Sequence, residues 1–209
     1  MPVTEFAIIC LRGGGFDELD FLEALMEVQE IQDSWTRVNH PYSLEPNSNQ
    51  SSMYIEHSDP PSLLITAPWD SPEDHLEWIR STDNQVCNAN LSRYIKPGCG
   101  SALLQHLSPA GKDEQLRRAF LNKDSFSVAR ITVEPGDKRD KLQEAYEKEE
   151  RDVGLMEGDQ KLWAGWRVEK LDGNEELVVF WTDEVPEERV HKLIALGDRS
   201  EQRRFRHVV

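Results

Sequence analysis

Two of the six histidines in this 209-residue chain fall in predicted helices where an imidazole could act as a general base. His75 lies in the first turn of a helix that starts at Pro72, and His191 lies in the helix that follows Pro186. An imidazole titrates near neutral pH, so either side chain could take a proton from an acidic C–H or O–H group. The alternative for both is a solvated histidine or one that is hydrogen-bonded to a nearby carboxylate.

His106 and His207 occupy matching places in two predicted strands, Leu104-Gln105-His106-Leu107 and Phe205-Arg206-His207-Val208. If both side chains point into a cavity, they form a polar pair in apolar surroundings and could bind a ligand. If they point toward the helices, they are core histidines whose polar atoms are satisfied by hydrogen bonds.

Several aromatic residues in predicted strands could form the flat walls of a binding site. Trp69, Trp181 and Tyr54 suit a planar phenolic or polyketide-like molecule, although large core aromatics explain them equally well. Trp163 and Trp166 are three residues apart, so they point to opposite faces of one strand and at most one of them lines a cavity.

The sequence disfavours several other kinds of site and partner. The chain lacks H-E-x-x-H and C-x-x-C, so we expect no metal. A net charge of -15 disfavours nucleic acid and anionic lipid. The chain has no apolar run of about 18 residues and no secretory signal, so we expect a cytoplasmic protein that does not bind membranes. Three cysteines are an odd number, which predicts reduced thiols.

The hydrophobic patterns predict two successive β-α-β-β-α-β units. In the first unit, Leu22, Leu25 and Met26 mark the buried side of a helix from Asp17 to about Arg37, and Leu76, Ile79 and Val86 mark that of the helix after Pro72. The predicted strands are Thr4–Leu11, Met53–His57, Ser62–Trp69 and Ser101–Leu107 in the first unit, and Phe126–Val133, Leu162–Leu171, Glu176–Trp181 and Arg204–Val208 in the second.

A strand that ends on tryptophan, a polar turn with proline and an acidic helix start occur twice, after Trp69 and after Trp181. Such an internal repeat predicts two ferredoxin-like units. We expect the first repeat over residues 1–108, a linker with a short helix over 109–124, and the second repeat over 125–209. The fold class is α+β, with the two antiparallel sheets packed face to face as a single-chain barrel.

The chain resembles the antibiotic biosynthesis monooxygenase-like (ABM) superfamily of dimeric α+β barrels, in the fungal-type form with two repeats. The resemblance rests on Pro2-Val3-Thr4-Glu5, on Leu116-Arg117-Arg118-Ala119-Phe120, and on the repeated tryptophan-turn-helix pattern. It implies a helix histidine eight or nine residues after the tryptophan, a place that His191 fits to within one residue once the longer turn is allowed for. The first repeat has Glu77 and Trp78 there, so the resemblance favours the second half as the site of chemistry.

The resemblance implies a protein that binds a small apolar or aromatic molecule, as a cofactor-independent monooxygenase or a proton-transfer enzyme of secondary metabolism. The alternative is a non-catalytic ligand-binding or stress-related barrel. We expect no cofactor, because haem binding in the family needs an asparagine and a tryptophan beside the helix histidine. With both halves in one chain, a monomer is as compatible as a homodimer.

Overall fold

Every described strand pair is antiparallel, and the chain contains both helices and strands, so the predicted α+β class is confirmed. The computed structural model describes all residues except 14–15, 42–48, 99–102, 113–115, 117–124, 155–159 and 171–172. The elements are β1 (Val3–Cys10), α1 (Glu18–Asn39), β2 (Ser52–Glu56), β3 (Ser62–Trp69), α2 (Pro72–Arg80), α3 (Thr82–Leu91), β4 (Leu103–Pro109), β5 (Phe126–Val133), α4 (Asp137–Gly154), β6 (Leu162–Arg167), β7 (Glu175–Thr182), α5 (Glu187–Ile194) and β8 (Arg199–His207).

The chain divides into two units, each with its own contacts. The first unit comprises Met1–Leu104 and His207–Val209, and the second unit comprises Gln105–Arg206. The repeat boundaries proposed from the sequence stay predictions, and most of the predicted linker helix lies outside the described residues.

In the first unit, β3 pairs with β1 on one side and with β2 on the other. Val3 lies opposite Trp69 and Glu5 opposite Ala67. Alternation along a strand puts Val3, Glu5 and Ala7 on the same face of the sheet. Val3 packs in a core cluster with residues of α1, α2 and α3, so this is the face that the helices cover.

In the second unit, the strand order is β4-β6-β7-β5-β8. Ser127 lies opposite Trp181 and Ala129 opposite Val179. Residues of α4 and α5 pack on one face of this sheet in a core cluster that includes Trp166 and Trp181. Trp163 instead packs edge-on against Phe180, with ring centroids 5.5 Å apart. Trp163 and Trp166 therefore do point to opposite faces of β6, as predicted.

The buried sides of the first-unit helices differ in part from the prediction, although Leu25 is buried as predicted. Helix α1 buries Phe21, Ala24, Leu25 and Val28, while Met26 is 56% exposed. The predicted helix after Pro72 is in fact two helices, because Ser81 ends α2 and caps the start of α3, where its Oγ accepts from the Asn84 N–H at 3.0 Å. On α2, His75 and Trp78 are buried and Leu76 is exposed, and on α3 Val86 is exposed.

The cysteines also differ from the prediction of three reduced thiols. Cys10, at the end of β1, takes part in a disulfide, and Cys87 on α3 is a buried free thiol. None of the described helices combines the length and the apolar character that crossing a bilayer requires.

Candidate functional site

His75 reaches the interior of the first unit because of how α2 begins. Ser71 is the N-cap, and its Oγ accepts from the Asp74 N–H at 3.2 Å, while Pro72 occupies the first turn. This start turns His75 and, three residues later, Trp78 toward the sheet. His75 is 1% exposed and Trp78 is 4% exposed.

Glu5 on β1 is the partner of His75. Its Oε2 lies 3.2 Å from His75 Nε2, and the same oxygen accepts the indole N–H of Trp69 at 3.1 Å. The three side chains are all buried. A carboxylate removed from water needs such partners, because an unpaired buried charge is strongly unfavourable.

The rings of Trp69 and His75 are stacked, with centroids 4.8 Å apart and an angle of 18° between the planes. The indole face thus lies against the imidazole, and an aromatic face attracts a cation. We call Glu5, Trp69 and His75 the acid–histidine cluster. Both the Glu5 carboxylate and the face of the Trp69 indole lie where they can stabilise positive charge on the His75 ring.

The acid–histidine cluster contributes to a pocket of about 200 Å³ within the first unit. The pocket lies between one face of the sheet and helices α1, α2 and α3. Its polar lining consists of Glu5, Gln32, His75, Asn84, Cys87 and Asn88, and its apolar lining consists of Ala7, Ile9, Val28, Met53, Ile65, Trp78, Ile79, Leu91 and Leu104. An apolar pocket with a few polar groups is the usual form of a small-molecule site.

Cys87 is not a nucleophile in this pocket. Burial, together with the charge of Asp83, raises the pKa of its thiol to about 11. Its Sγ faces the Val28 carbonyl oxygen at 3.8 Å. Because the thiolate is the reactive form, this thiol is inert at neutral pH.

Tyr54 and His207, both predicted to bind a ligand, contact each other in the first unit. Their ring centroids are 5.6 Å apart in an edge-on arrangement. Tyr54 is fully buried, and burial raises the pKa of its hydroxyl. Burial also lowers the pKa of His207. Tyr54 alternates with Met53, which lines the pocket, so the Tyr54–His207 pair is on the other face of β2.

His106 lies in the second unit, where its ring and its backbone N–H both contact Glu169. Its Nδ1 is 2.6 Å from Glu169 Oε1, and its backbone N–H also donates to that carboxylate. Burial raises the pKa of Glu169, but the hydrogen bonds from His106 outweigh it, so that the pKa lies below its usual value. His106 is therefore a buried histidine that is hydrogen-bonded to a carboxylate.

The second-unit candidates do not form a comparable cluster. Trp181 packs in the apolar core with Val190 and Leu193. His191 is exposed on α5, next to Val190 but on another side of the helix. The structure thus brings Trp69 and His75 together and leaves Trp181 and His191 apart.

The two units differ at corresponding positions. Glu5 pairs with the residue two before Trp69, and Ala129 pairs with the residue two before Trp181. His75 is four residues after the cap of α2, and Val190 is four residues after the cap of α5. Ala129 and Val190 are both buried in the second unit. A charged pair in the first unit therefore corresponds to two apolar residues in the second.

Glu5, Gln32 and Trp78 were not predicted from the sequence as site residues. Glu5 had a signal, since it is the one charged residue in the predicted strand Thr4–Leu11. Gln32 and Trp78 had no such signal, because the predicted buried sides of their helices did not include them.

The pocket does not fit a haem or a metal ion. Its volume is below the range of about 300–1,000 Å³ that is typical for drug-sized ligands, which are themselves smaller than a haem. In addition, His75 Nε2 faces Glu5 rather than an open position. Within the described ranges, the structure has no group of three or more His, Cys, Asp or Glu side chains that could hold a metal.

No family model matches the chain, and no curated protein is similar to it in sequence. Solved structures do show the same fold at low identity. A candidate monooxygenase from Fusobacterium nucleatum is 10% identical with a TM-score of 0.68, and the match covers 100% of this chain and 93% of that one.

Two further structures resemble the chain over its full length. A candidate monooxygenase from Lactobacillus acidophilus is 11% identical, with a TM-score of 0.56 and coverage of 100% of this chain and 94% of that one. An anthrone oxidase-like protein is 12% identical, with a TM-score of 0.59 and coverage of 100% and 92%. At these identities the likeness shows the fold alone.

Proposed function

We propose that the pocket of the first unit binds a small apolar or aromatic molecule, and that the His75–Glu5 pair accepts a proton from it. The protein would then be a cofactor-independent monooxygenase or a proton-transfer enzyme. The observation that carries this proposal is the pair itself: two buried ionisable side chains 3.2 Å apart in the wall of a largely apolar pocket. The fold shared with candidate monooxygenases and an anthrone oxidase-like protein supports it.

The chemistry begins with a proton moving from a phenolic O–H or an activated C–H to the His75–Glu5 pair. The Glu5 carboxylate and the Trp69 ring stabilise the imidazolium that forms. The substrate is left as an electron-rich phenolate or enolate. In the monooxygenase, this anion reacts with O₂ at an activated CH₂ group of the substrate. One oxygen atom of O₂ becomes the oxygen of a new C=O group at that carbon. The other oxygen atom leaves as water together with the two hydrogens of the CH₂ group.

The difference between the two units supports a functional role for the pair. In the second unit the same backbone arrangement is filled by Ala129 and Val190. The fold therefore does not require charged groups at these positions, and apolar residues avoid the free energy of burying a charge.

The alternative function is ligand binding without catalysis. One observation favours it: Glu5 Oε2 already accepts from both His75 and Trp69, so these groups are satisfied without a substrate. From the sequence resemblance we further propose the fungal-type two-repeat form of the superfamily, a cytoplasmic location, and a monomer or homodimer.

Oxygen uptake and hydrogen exchange distinguish these functions. Purified protein is mixed with 2-tetralone, catechol or 1-naphthol, without added metal or flavin, and O₂ consumption is recorded. In a parallel anaerobic sample in D₂O, NMR follows deuterium entry into acidic C–H positions. We expect one of the two activities in the wild type and its loss in His75→Phe, while His57→Gln, a change at an exposed histidine, keeps it.

Binding without either activity would overturn catalysis and leave the ligand-binding alternative. Activity that survives His75→Phe but is lost in His191→Phe would move the site to the second unit.

A further inference from the structure

Gln32 is a buried polar side chain of the pocket that has no hydrogen-bond partner among the described residues. It lies on α1, is 4% exposed and lines the pocket. Its side-chain amide makes no hydrogen bond with the part of the chain that the structure describes. Burying an amide without a hydrogen bond costs free energy, so buried amides in proteins are nearly always paired.

Gln29, one turn earlier on the same helix, shows the usual situation. It is 7% exposed, its Nε2 donates to the Ser51 carbonyl oxygen at 2.8 Å, and its Oε1 accepts from Asn49 Nδ2 at 2.7 Å. Two buried glutamines on one helix therefore differ in a single respect. The amide of Gln29 is used by the protein, and that of Gln32 is left for something in the pocket.

We propose that Gln32 is the specificity-determining group that hydrogen-bonds an oxygen atom of the ligand, and that the ligand is a compact neutral molecule of one or two rings carrying a hydroxyl or carbonyl group. The inference deepens the proposed function and rests on the same pocket. An amide presents both a donor and an acceptor, so it can bind either kind of oxygen.

The size of the pocket sets the number of rings. At about 200 Å³, it exceeds the cavity of about 150 Å³ that holds benzene. It is smaller than the pockets of about 300–1,000 Å³ that take drug-sized ligands. One ring, or two fused rings, fits this interval, and a three-ring anthrone does not.

The charge of the lining sets the charge of the ligand. Glu5 is acidic, and none of the described residues that line the pocket is a lysine or an arginine. A carboxylate or phosphate ligand would be buried near a like charge without a cation to offset it. A neutral phenol, enol or ketone avoids this repulsion.

The test measures the binding of paired ligands, one with an oxygen-bearing group and one without, to the wild type and to a variant that lacks the Gln32 amide. Phenol and toluene, and then 1-naphthol and 1-methylnaphthalene, are titrated anaerobically against the full chain by NMR. Wild type should bind the oxygen-bearing member of each pair more tightly. In Gln32→Leu, affinity for phenol and 1-naphthol should fall about ten-fold, while affinity for the two hydrocarbons stays the same.

Gln29→Leu is the matched control. It removes a hydrogen-bonded amide, so its melting temperature should fall while its preference for phenol over toluene is kept. Gln32→Leu removes an unpaired amide, so its melting temperature should equal or exceed that of the wild type. An amide that binds the ligand therefore predicts lost affinity without lost stability in Gln32→Leu, and lost stability without lost ligand preference in Gln29→Leu.

A Gln32→Leu variant that keeps the preference for phenol, or that melts at a lower temperature than wild type, would overturn the role of Gln32. Anthrone that binds as tightly as phenol would overturn the size class. Because binding is measured without O₂ and without turnover, a failure of catalysis leaves this inference standing, and its own failure leaves the catalytic pair untouched.

Discussion

Nε2 of His75 lies 3.2 Å from Oε2 of Glu5, and the two residues are 1% and 6% exposed. They are 70 positions apart in the sequence, one on the first strand and one in the first turn of α2. The pair is enclosed by Trp69 on one side and by the pocket on the other. The proposals for catalysis rest on this contact.

Replacement of Glu5 by Gln should reduce turnover about a hundred-fold, the lower end of what a positioned acid–base group contributes. The amide keeps the size of the side chain but cannot stabilise an imidazolium. We expect kcat to fall while the Kd for phenol, measured without O₂, stays within about two-fold of wild type. A variant with unchanged kcat would show that the carboxylate takes no part in proton transfer.

Glu5→Ala and His75→Val together reproduce the residues of the second unit. Each single change leaves a buried polar partner behind, at a cost of about 1–3 kcal/mol. The double variant should lose less stability than the sum of the single variants, with a coupling free energy of about 0.5–3 kcal/mol. Urea unfolding of the four proteins measures it, and additive losses would mean that the pair is not coupled.

His207→Phe should flatten the dependence of stability on pH between about 8 and 5. Burial lowers the pKa of His207 in the folded chain, so the unfolded chain binds more protons as the pH falls through the unfolded pKa of about 6.5. The wild type therefore loses stability over this interval, and phenylalanine, which keeps the ring contact with Tyr54, does not. Unfolding curves at several pH values give the comparison. Equal slopes for the two proteins would contradict it.

Cys87 should react slowly with iodoacetamide in the folded protein. A pKa raised from 9.0 to about 11 reduces the thiolate fraction at pH 8 about a hundred-fold. Mass spectrometry of the peptide that contains Cys87 should show slow labelling in buffer and fast labelling in urea. Rapid labelling of the native protein would indicate an open thiol in the pocket wall.

Much of the fold follows from local patterns in the sequence. The apolar run before Gly13 predicts β1, alternation predicts β5, and Ser71 with Pro72 predicts the start of α2. These features act over a few residues, through the strand period, the helix cap and the fixed φ of proline. The same local cues predicted Trp69 and His75 as site candidates.

Which unit brings its predicted tryptophan and histidine together is visible only in three dimensions. The sequence comparison favoured His191 because it fits the family position to within one residue. One residue on a helix turns a side chain by about 100°. Val190 faces the core of the second unit, so His191 is exposed, and the corresponding turn in the first unit places His75 inside.

Sequence alone thus determined the α+β class, most of the strands and helices, and His75 with Trp69 as candidates, because each depends on neighbours in the chain. The tertiary structure decided that Glu5 is the partner of His75, that Gln32 faces the same pocket, and that α2 and α3 are separate helices with His75 and Trp78 inward. Those facts depend on which distant elements pack together, and the hydrophobic pattern does not specify how far each helix is rotated about its axis.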